Sequence, residues 1–229
     1  CLSTPFDEPS VDVIEAQGLD AIKIASCSMS DWPLLERVVQ TQRPLIVSTA
    51  GATMEEIDRL VSFLTHRQKN FAILHCVGEY PTPDAHMHLS QIDFLQRRYP
   101  GVRVGFSTHE DPESTDIVQM ALAKGARVFE KHVGLPTVQY PLNAYSASPQ
   151  QVQRWLQAAQ RAVLPEMPHS IISIGGTTPK TGIEAGRPVS KLILPVTLYV
   201  NAGILPECKA SNIAAEFKTL LENPVLLLL

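Results

Sequence analysis

Residues 102–132 read VRVGFSTHEDPESTDIVQMALAKGARVFEKH, and the order of apolar and polar residues in this stretch decides the fold. Val102 to Phe106 and Arg127 to Glu130 are short aliphatic runs of the kind that form buried parallel strands. Between them Pro112 to Lys124 has a helical period, and Gly125 stands where a left-handed residue closes a last helical turn. The stretch is therefore a β-α-β unit. Both of its strands run into polar residues, Ser107-Thr-His109 and Glu130-Lys-His132.

The same alternation continues towards the N-terminus. Ala21 to Ala25, Leu45 to Ser48 and Phe71 to Cys76 read as strands, and Ser10 to Gln17, Trp32 to Gln40, Leu89 to Arg98 and Ser148 to Ala162 read as helices. From Thr53 to Leu64 the apolar residues Met54, Ile57, Leu60, Val61 and Leu64 fall on one helical face, with Thr53 and Glu56 spaced as a capping box. Units repeating every 25 to 30 residues or so predict an all-parallel sheet with helices outside it, either a closed barrel or an open doubly wound sheet. Two features favour the (β/α)8 TIM barrel. Polar residues recur at the strand ends, as Ser26, Ser48, His75, Ser107 and Glu130-Lys131-His132, and a barrel gathers such ends at one mouth. No GxGxxG or GxxxxGK[ST] loop follows any strand, so the usual nucleotide-binding open sheet lacks its signature.

Leu2-Ser-Thr-Pro-Phe-Asp reads as the polar end of one more strand, which gives five strands and a stub where a barrel needs eight. The expected barrel is thus N-terminally incomplete, with its first two βα units absent, and occupies residues 1–163. Residues 164–229 hold no clear βα repeat and are expected to be a separate C-terminal appendage, with a strand from Leu192 to Val200 and a helix from Ala210 to Leu221.

Composition narrows the function. A net charge of -4, with no run of five or more like charges, lacks the basic footprint of a nucleic-acid or anionic-membrane binder. Cys1, Cys27, Cys76 and Cys208 show no CxxC spacing, which fits a reducing cytoplasm better than a zinc knuckle or redox pair. No signal sequence or membrane-spanning apolar run is readable, so a cytoplasmic enzyme is expected.

The chemistry-bearing residues stand at the strand ends. Neighbouring parallel strands lie about 4.8 Å apart, so His109 and His132 can reach one ion. Two imidazoles without cysteinate leave open coordination positions, which suits a Lewis-acidic Mn2+ or Mg2+; the alternative is that one of them is a metal-free hydrogen-bonding histidine. His75 is a third candidate, although its apolar flanks favour a buried structural role. Thr4, Lys23, Ser26, Ser48 and Ser107 form a second group, hydroxyls plus one cation, of the kind that holds a phosphate without a P-loop. An ammonium in an apolar strand is costly unless it meets an anion.

At these residues the chain resembles the sialic acid synthase family. The matching stretches are Leu2-Ser-Thr-Pro-Phe-Asp, Ile22-Lys-Ile-Ala-Ser26, Leu45-Ile-Val-Ser-Thr49, Ile73-Leu-His-Cys76 with Tyr80-Pro-Thr-Pro83, Gly105-Phe-Ser-Thr-His109 and Glu130-Lys-His132. The resemblance implies a barrel that joins phosphoenolpyruvate to an N-acylated amino sugar, with the two metal-binding histidines at His109 and His132. It places phosphoenolpyruvate contacts at Thr4, Lys23, Ser26, Ser48 and Ser107, a sugar-side tyrosine at Tyr80, catalytic roles at Lys23, His109 and His132, and a homodimer. Sugar-side positions depart from the family pattern. Cys27-Ser28 replaces a Gly-acidic pair, and Tyr140-Pro-Leu-Asn143 replaces a Gly-Pro-Asp loop, with Asn143 expected to contact substrate. A catalytically silent fragment that binds sugar or assembles with other chains is the competing expectation.

Overall fold

The computed structural model describes residues 1–137 and 139–162 and, beyond them, the backbone of four strands at 170–175, 178–184, 187–193 and 196–200. Six strands, β1 (Leu2–Ser3), β2 (Ala21–Ile24), β3 (Leu45–Ser48), β4 (Phe71–Cys76), β5 (Arg103–Thr108) and β6 (Val128–Val133), alternate with six helices. The helices are α1 (Glu8–Ala16), α2 (Trp32–Val38), α3 (Met54–His66), α4 (Ser90–Arg98), α5 (Asp116–Ala123) and α6 (Pro149–Ala162). All six strands pair in parallel and in chain order, from β1 beside β2 to β5 beside β6. A doubly wound sheet would reverse its strand order at a switch point. Unbroken sequential order is that of a (β/α)-barrel wall, and these units form an arc of one.

Local chemistry explains the element ends. Thr53 and Glu56 make the reciprocal capping box, Glu56 N to Thr53 Oγ1 at 3.2 Å and Thr53 N to Glu56 Oε2 at 2.7 Å, so α3 starts at Met54. The α2 helix stops at Val38 rather than Gln40, because the Thr41 hydroxyl donates to the Val38 carbonyl at 2.9 Å and caps the turn. The α5 helix starts at Asp116 rather than Pro112: Asp111 Oδ1 accepts from Glu113 N at 2.9 Å and holds residues 111–114 in a turn. Strands β5 and β6 run two or three residues past their apolar cores, since Ser107 pairs with Glu130 and Thr108 with Lys131 in register.

The apolar faces of the helices, such as Ile57, Leu60, Val61 and Leu64 of α3 and Val152, Trp155, Leu156 and Ala159 of α6, pack in one continuous core with Ile22, Ile24, Val47, Ile73, Phe106 and Phe129. That core lies on the helix side of the sheet. No helix among the described residues is long and apolar enough to cross a membrane.

Beyond residue 162, β7 (Ser170–Gly175) pairs in parallel with β6, and β10 (Val196–Val200) pairs antiparallel with β7. The strands β8 (Thr178–Glu184) and β9 (Arg187–Ile193) form a separate antiparallel pair. The single strand expected at Leu192 to Val200 is therefore divided between β9 and β10. The helix expected at Ala210 to Leu221 lies outside the described residues.

Candidate active site

Side chains alternate across a strand, so register assigns each residue to a face. Cys76 pairs with Ser107 and Ser107 with Glu130, while Ser48 pairs with Leu74, two residues before Cys76. Lys23 pairs with Ile46, two residues before Ser48. Lys23, Ser48, Cys76, Ser107 and Glu130 thus share the face away from the helices, and His132, two residues beyond Glu130, continues that row. Leu2, Lys23, Ile46, Leu74, Val128 and Glu130 line a cavity on this same face.

The group is joined by direct contacts. Lys23 Nζ lies 3.5 Å from Glu130 Oε2, and Ser48 Oγ donates to the same oxygen at 3.2 Å. Ser26, at the start of the short 3-10 turn after β2, accepts from Ala50 N through its hydroxyl at 2.9 Å, which ties it to the loop after β3. Burial pushes the Cys76 thiol up to about 11, opposed by hydrogen bonds from Ser107 and Ser26 and by the nearby Lys23. Cys76 is therefore a neutral thiol among the hydroxyls. Thr4 follows β1 directly at the same end of the sheet.

At the rim, the His109 and His132 rings stand 5.2 Å apart between centroids, tilted by 44°. Burial, reinforced by the neighbouring His132, pushes His109 down to about 4 against the pull of its Val77 hydrogen bond. Burial likewise lowers His132, which Glu130 partly offsets. Both imidazoles are consequently neutral near pH 7, with lone pairs available. His109 Nδ1 lies 3.2 Å from the Val77 carbonyl; that partner accepts only, so Nδ1 carries the proton and Nε2 is the basic nitrogen.

Two tyrosines close the rim. The Tyr80 ring lies 4.0 Å from His109, and Tyr145 sets its ring nearly perpendicular to both imidazoles, at 5.1 Å from His132 and 5.9 Å from His109. Asn143, expected to touch substrate, uses its side-chain oxygen inside the loop, accepting from Tyr145 N at 3.2 Å and Ser146 N at 2.8 Å. The Ala147 amide then donates to the His132 carbonyl at 2.9 Å, which fixes Tyr145 beside that histidine.

Other residues go to the helix side. His75 alternates with Leu74 and Cys76, stacks on Phe106 at 5.8 Å and bonds the Met87 carbonyl through Nε2 at 2.8 Å, so it is the structural histidine of the two alternatives. Lys131 points opposite to Glu130 and His132, into the core, where its Nζ meets Glu110 Oε1 at 2.8 Å. Trp155 Nε1 donates to the same oxygen at 3.0 Å, and Thr108 Oγ1 donates to the other carboxylate oxygen. Sequence reasoning missed Glu110, Tyr145 and the cross-sheet reach of Glu130. The signal for the first lay in two adjacent charges, Glu130 and Lys131, on one strand: one of them had to face the helices and find a counter-charge there.

The NeuB family model matches residues 1–164. A solved structure, described as spore coat polysaccharide biosynthesis protein E from Chromobacterium violaceum, is 58% identical with a TM-score of 0.70, over 72% of this chain and 51% of that one. The N-acetylneuraminate-9-phosphate synthase of Drosophila melanogaster is 34% identical over 134 residues, 58% of this chain and 36% of that protein. The N,N'-diacetyllegionaminic acid synthase of Campylobacter jejuni is 33% identical over 156 residues, 66% of this chain and 46% of that protein. The chain spans less than half the length of these two curated relatives.

Proposed function

The chain belongs to the NeuB family, and on that premise we propose that it forms the barrel of a synthase that condenses phosphoenolpyruvate with an N-acylated amino sugar of the N-acetylmannosamine kind. The products would be a nonulosonic acid and phosphate. One observation carries this reading: Lys23, Ser48, Ser107, Glu130 and two neutral imidazoles lie along one face of one parallel sheet, at one end of it. The names of the relatives support the class of product, and they differ in the sugar.

In this reading the phosphate and carboxylate of phosphoenolpyruvate take Lys23 as their cation, with hydroxyls from Thr4, Ser26, Ser48 and Ser107 as donors. Ionic hydrogen bonds of this kind are the stronger ones, and a buried ammonium favours an anion over water. Tyr80 lines the sugar side. Asn143 would act through its amide NH2, because its oxygen is engaged in the loop. The methylene carbon of phosphoenolpyruvate forms a bond to the open-chain aldehyde carbon, whose oxygen gains a proton. Water adds at C2, and the bond from C2 to the phosphate oxygen breaks. The chain's own residues contribute orientation and fixed charge.

His109 and His132 would hold a divalent ion, Mn2+ or Mg2+, which supplies Lewis-acid chemistry when bound. Their fit to such an ion is supported by the depressed basicity of both rings and by the Val77 carbonyl, which leaves Nε2 of His109 as the donor. Among the described residues no third His, Cys, Asp or Glu completes a closed cage, which suits an open site rather than a structural one. The resemblance supports a homodimer, the cysteine spacing a cytoplasmic setting, and the end of the βα repeat a division into residues 1–163 as the barrel unit and 164–229 as an appendage, whose β7 continues the parallel sheet beside β6.

The test is phosphate release on mixing the protein with Mn2+, phosphoenolpyruvate and a panel of acylated amino sugars. Release that depends on one sugar and on His109 and His132 is expected. No release with any sugar at saturating metal with the whole protein would leave a silent binding module as the better account, and release that needs no sugar would refute the condensation.

A further inference from the structure

The Lys23 side chain is only 5% exposed, and among the described residues its one ion-pair partner is the Glu130 carboxylate. Its other contact is a hydrogen bond to the Ile24 carbonyl at 3.0 Å. Glu130 is on β6 and Lys23 on β2, with β3, β4 and β5 between them in the sheet, so the carboxylate reaches across the concave face rather than along it. The oxygen that meets Lys23 also accepts from Ser48 on β3. A single carboxylate oxygen therefore occupies two of the donors that an incoming anion would need.

We infer that Glu130 is a built-in stand-in for the substrate anion: its carboxylate neutralises Lys23 and takes the Ser48 hydroxyl until a phosphate or carboxylate group displaces it. The inference rests on the anion-binding role proposed above for Lys23. A buried ammonium left without an anion is strongly unfavourable, so an internal carboxylate beside Lys23 holds the polar face in place before substrate arrives. The same carboxylate cannot stay when a phosphate enters, because two anions within a few ångströms of each other repel strongly at interior dielectric. Binding is then an exchange of one anion for another, and the affinity of the site is lowered by the displacement of Glu130.

Inorganic phosphate is the probe, with binding followed by calorimetry and by the rise in unfolding temperature it causes in the whole chain. Glu130→Gln is expected to bind phosphate at least about tenfold more tightly than the parent and to gain a larger thermal shift from it. Glu130→Asp, shorter but still charged, is expected to fall between the two. Lys23→Met is expected to abolish binding. Should Glu130→Gln fold only when phosphate is present, that rescue supports the exchange; should it fold under no condition, Glu130→Asp decides, tighter binding supporting the inference and equal or weaker binding overturning it. Wild-type or weaker affinity in Glu130→Gln, with binding still lost in Lys23→Met, overturns the inference while leaving the anion site standing. Phosphate binding that ignores Lys23→Met overturns the anion site itself, and the inference with it.

Discussion

Replacing Lys131 with methionine leaves a carboxylate buried beneath α6 with no counter-charge, and the cost can be worked from the contacts. Glu110 is fully buried, Lys131 is 1% exposed, and their ion pair is 2.8 Å long. Trp155 and Thr108 donate to the same carboxylate but carry no charge. Removing one partner of such a pair costs about 3–5 kcal/mol, much of the 5–15 kcal/mol that typically holds a domain together. Glu110→Gln strands the ammonium in its turn and should cost a similar amount. The double variant Lys131→Met with Glu110→Gln leaves no charge in the core, and glutamine still accepts from Trp155 through its amide oxygen. It should lose only about 1–2 kcal/mol, so the coupling between the two sites should exceed about 2 kcal/mol. Urea unfolding of the four proteins, with m-values compared, measures this. Recovery of a folded double variant from an unfolded single one is the same result in stronger form. A Lys131→Met loss below about 1 kcal/mol, or a double variant as unstable as the sum of the singles, would refute the argument that the pair is a desolvated unit.

Three further outcomes are expected. Burial lowers the basicity of His75, His109 and His132, so the unfolded chain takes up protons first; stability is fully present above about pH 6.5 and falls as the pH drops towards about 4, His109 alone accounting for about 3 kcal/mol at most. Chemical denaturation at pH 7.5, 6 and 5 reads this directly, and a flat profile would contradict the neutral buried rings. Gly105→Ala should be severely destabilising, by about 2 kcal/mol or more, because a Cβ there would meet the Val128 carbonyl oxygen at 2.1 Å and Leu74 Cδ2 at 2.5 Å. Since His109 directly follows β5 and His132 lies on β6, it should also weaken Mn2+ binding measured by calorimetry, and an unchanged affinity would show that the strand spacing does not set the site. Thr53→Ala removes the α3 capping box and should cost about 1 kcal/mol by thermal or urea unfolding without affecting phosphate binding.

The order of elements was legible because each unit carries its own local signals: β3 and β4 begin and end where the apolar runs Leu45 to Ser48 and Phe71 to Cys76 do. The convergence of Lys23, Ser48, Ser107, His109 and His132 was legible too, since strand-end position alone brings them to one rim. What the runs could not convey is distance across the concave face. Nothing in the order of residues says that Glu130 crosses three strands to reach Lys23, or that Asn143 turns its oxygen inward and presents Tyr145 instead. Those contacts depend on the curvature of the sheet and on how one loop folds back, and both are set by packing between elements rather than within them.

Strand parity does more than sort residues; it separates two kinds of chemistry that the same dipeptides encode. Strands β5 and β6 each carry neighbouring polar residues, Ser107-Thr108 and Glu130-Lys131, and alternation sends one of each pair to the concave face and the other into the helix layer. The inner members face the candidate active site, whereas the outer members are satisfied by Glu110 and Trp155 and hold α6 against the sheet. A one-residue slip of β6 would exchange these roles, burying Glu130 and His132 against apolar helix side chains and presenting Lys131 to the rim. The buried Glu110 carboxylate opposes that slip, because only Lys131 in its present register can neutralise it. The ion pair on the far side of the strand thus fixes which side chains reach the candidate active site, although it touches none of them.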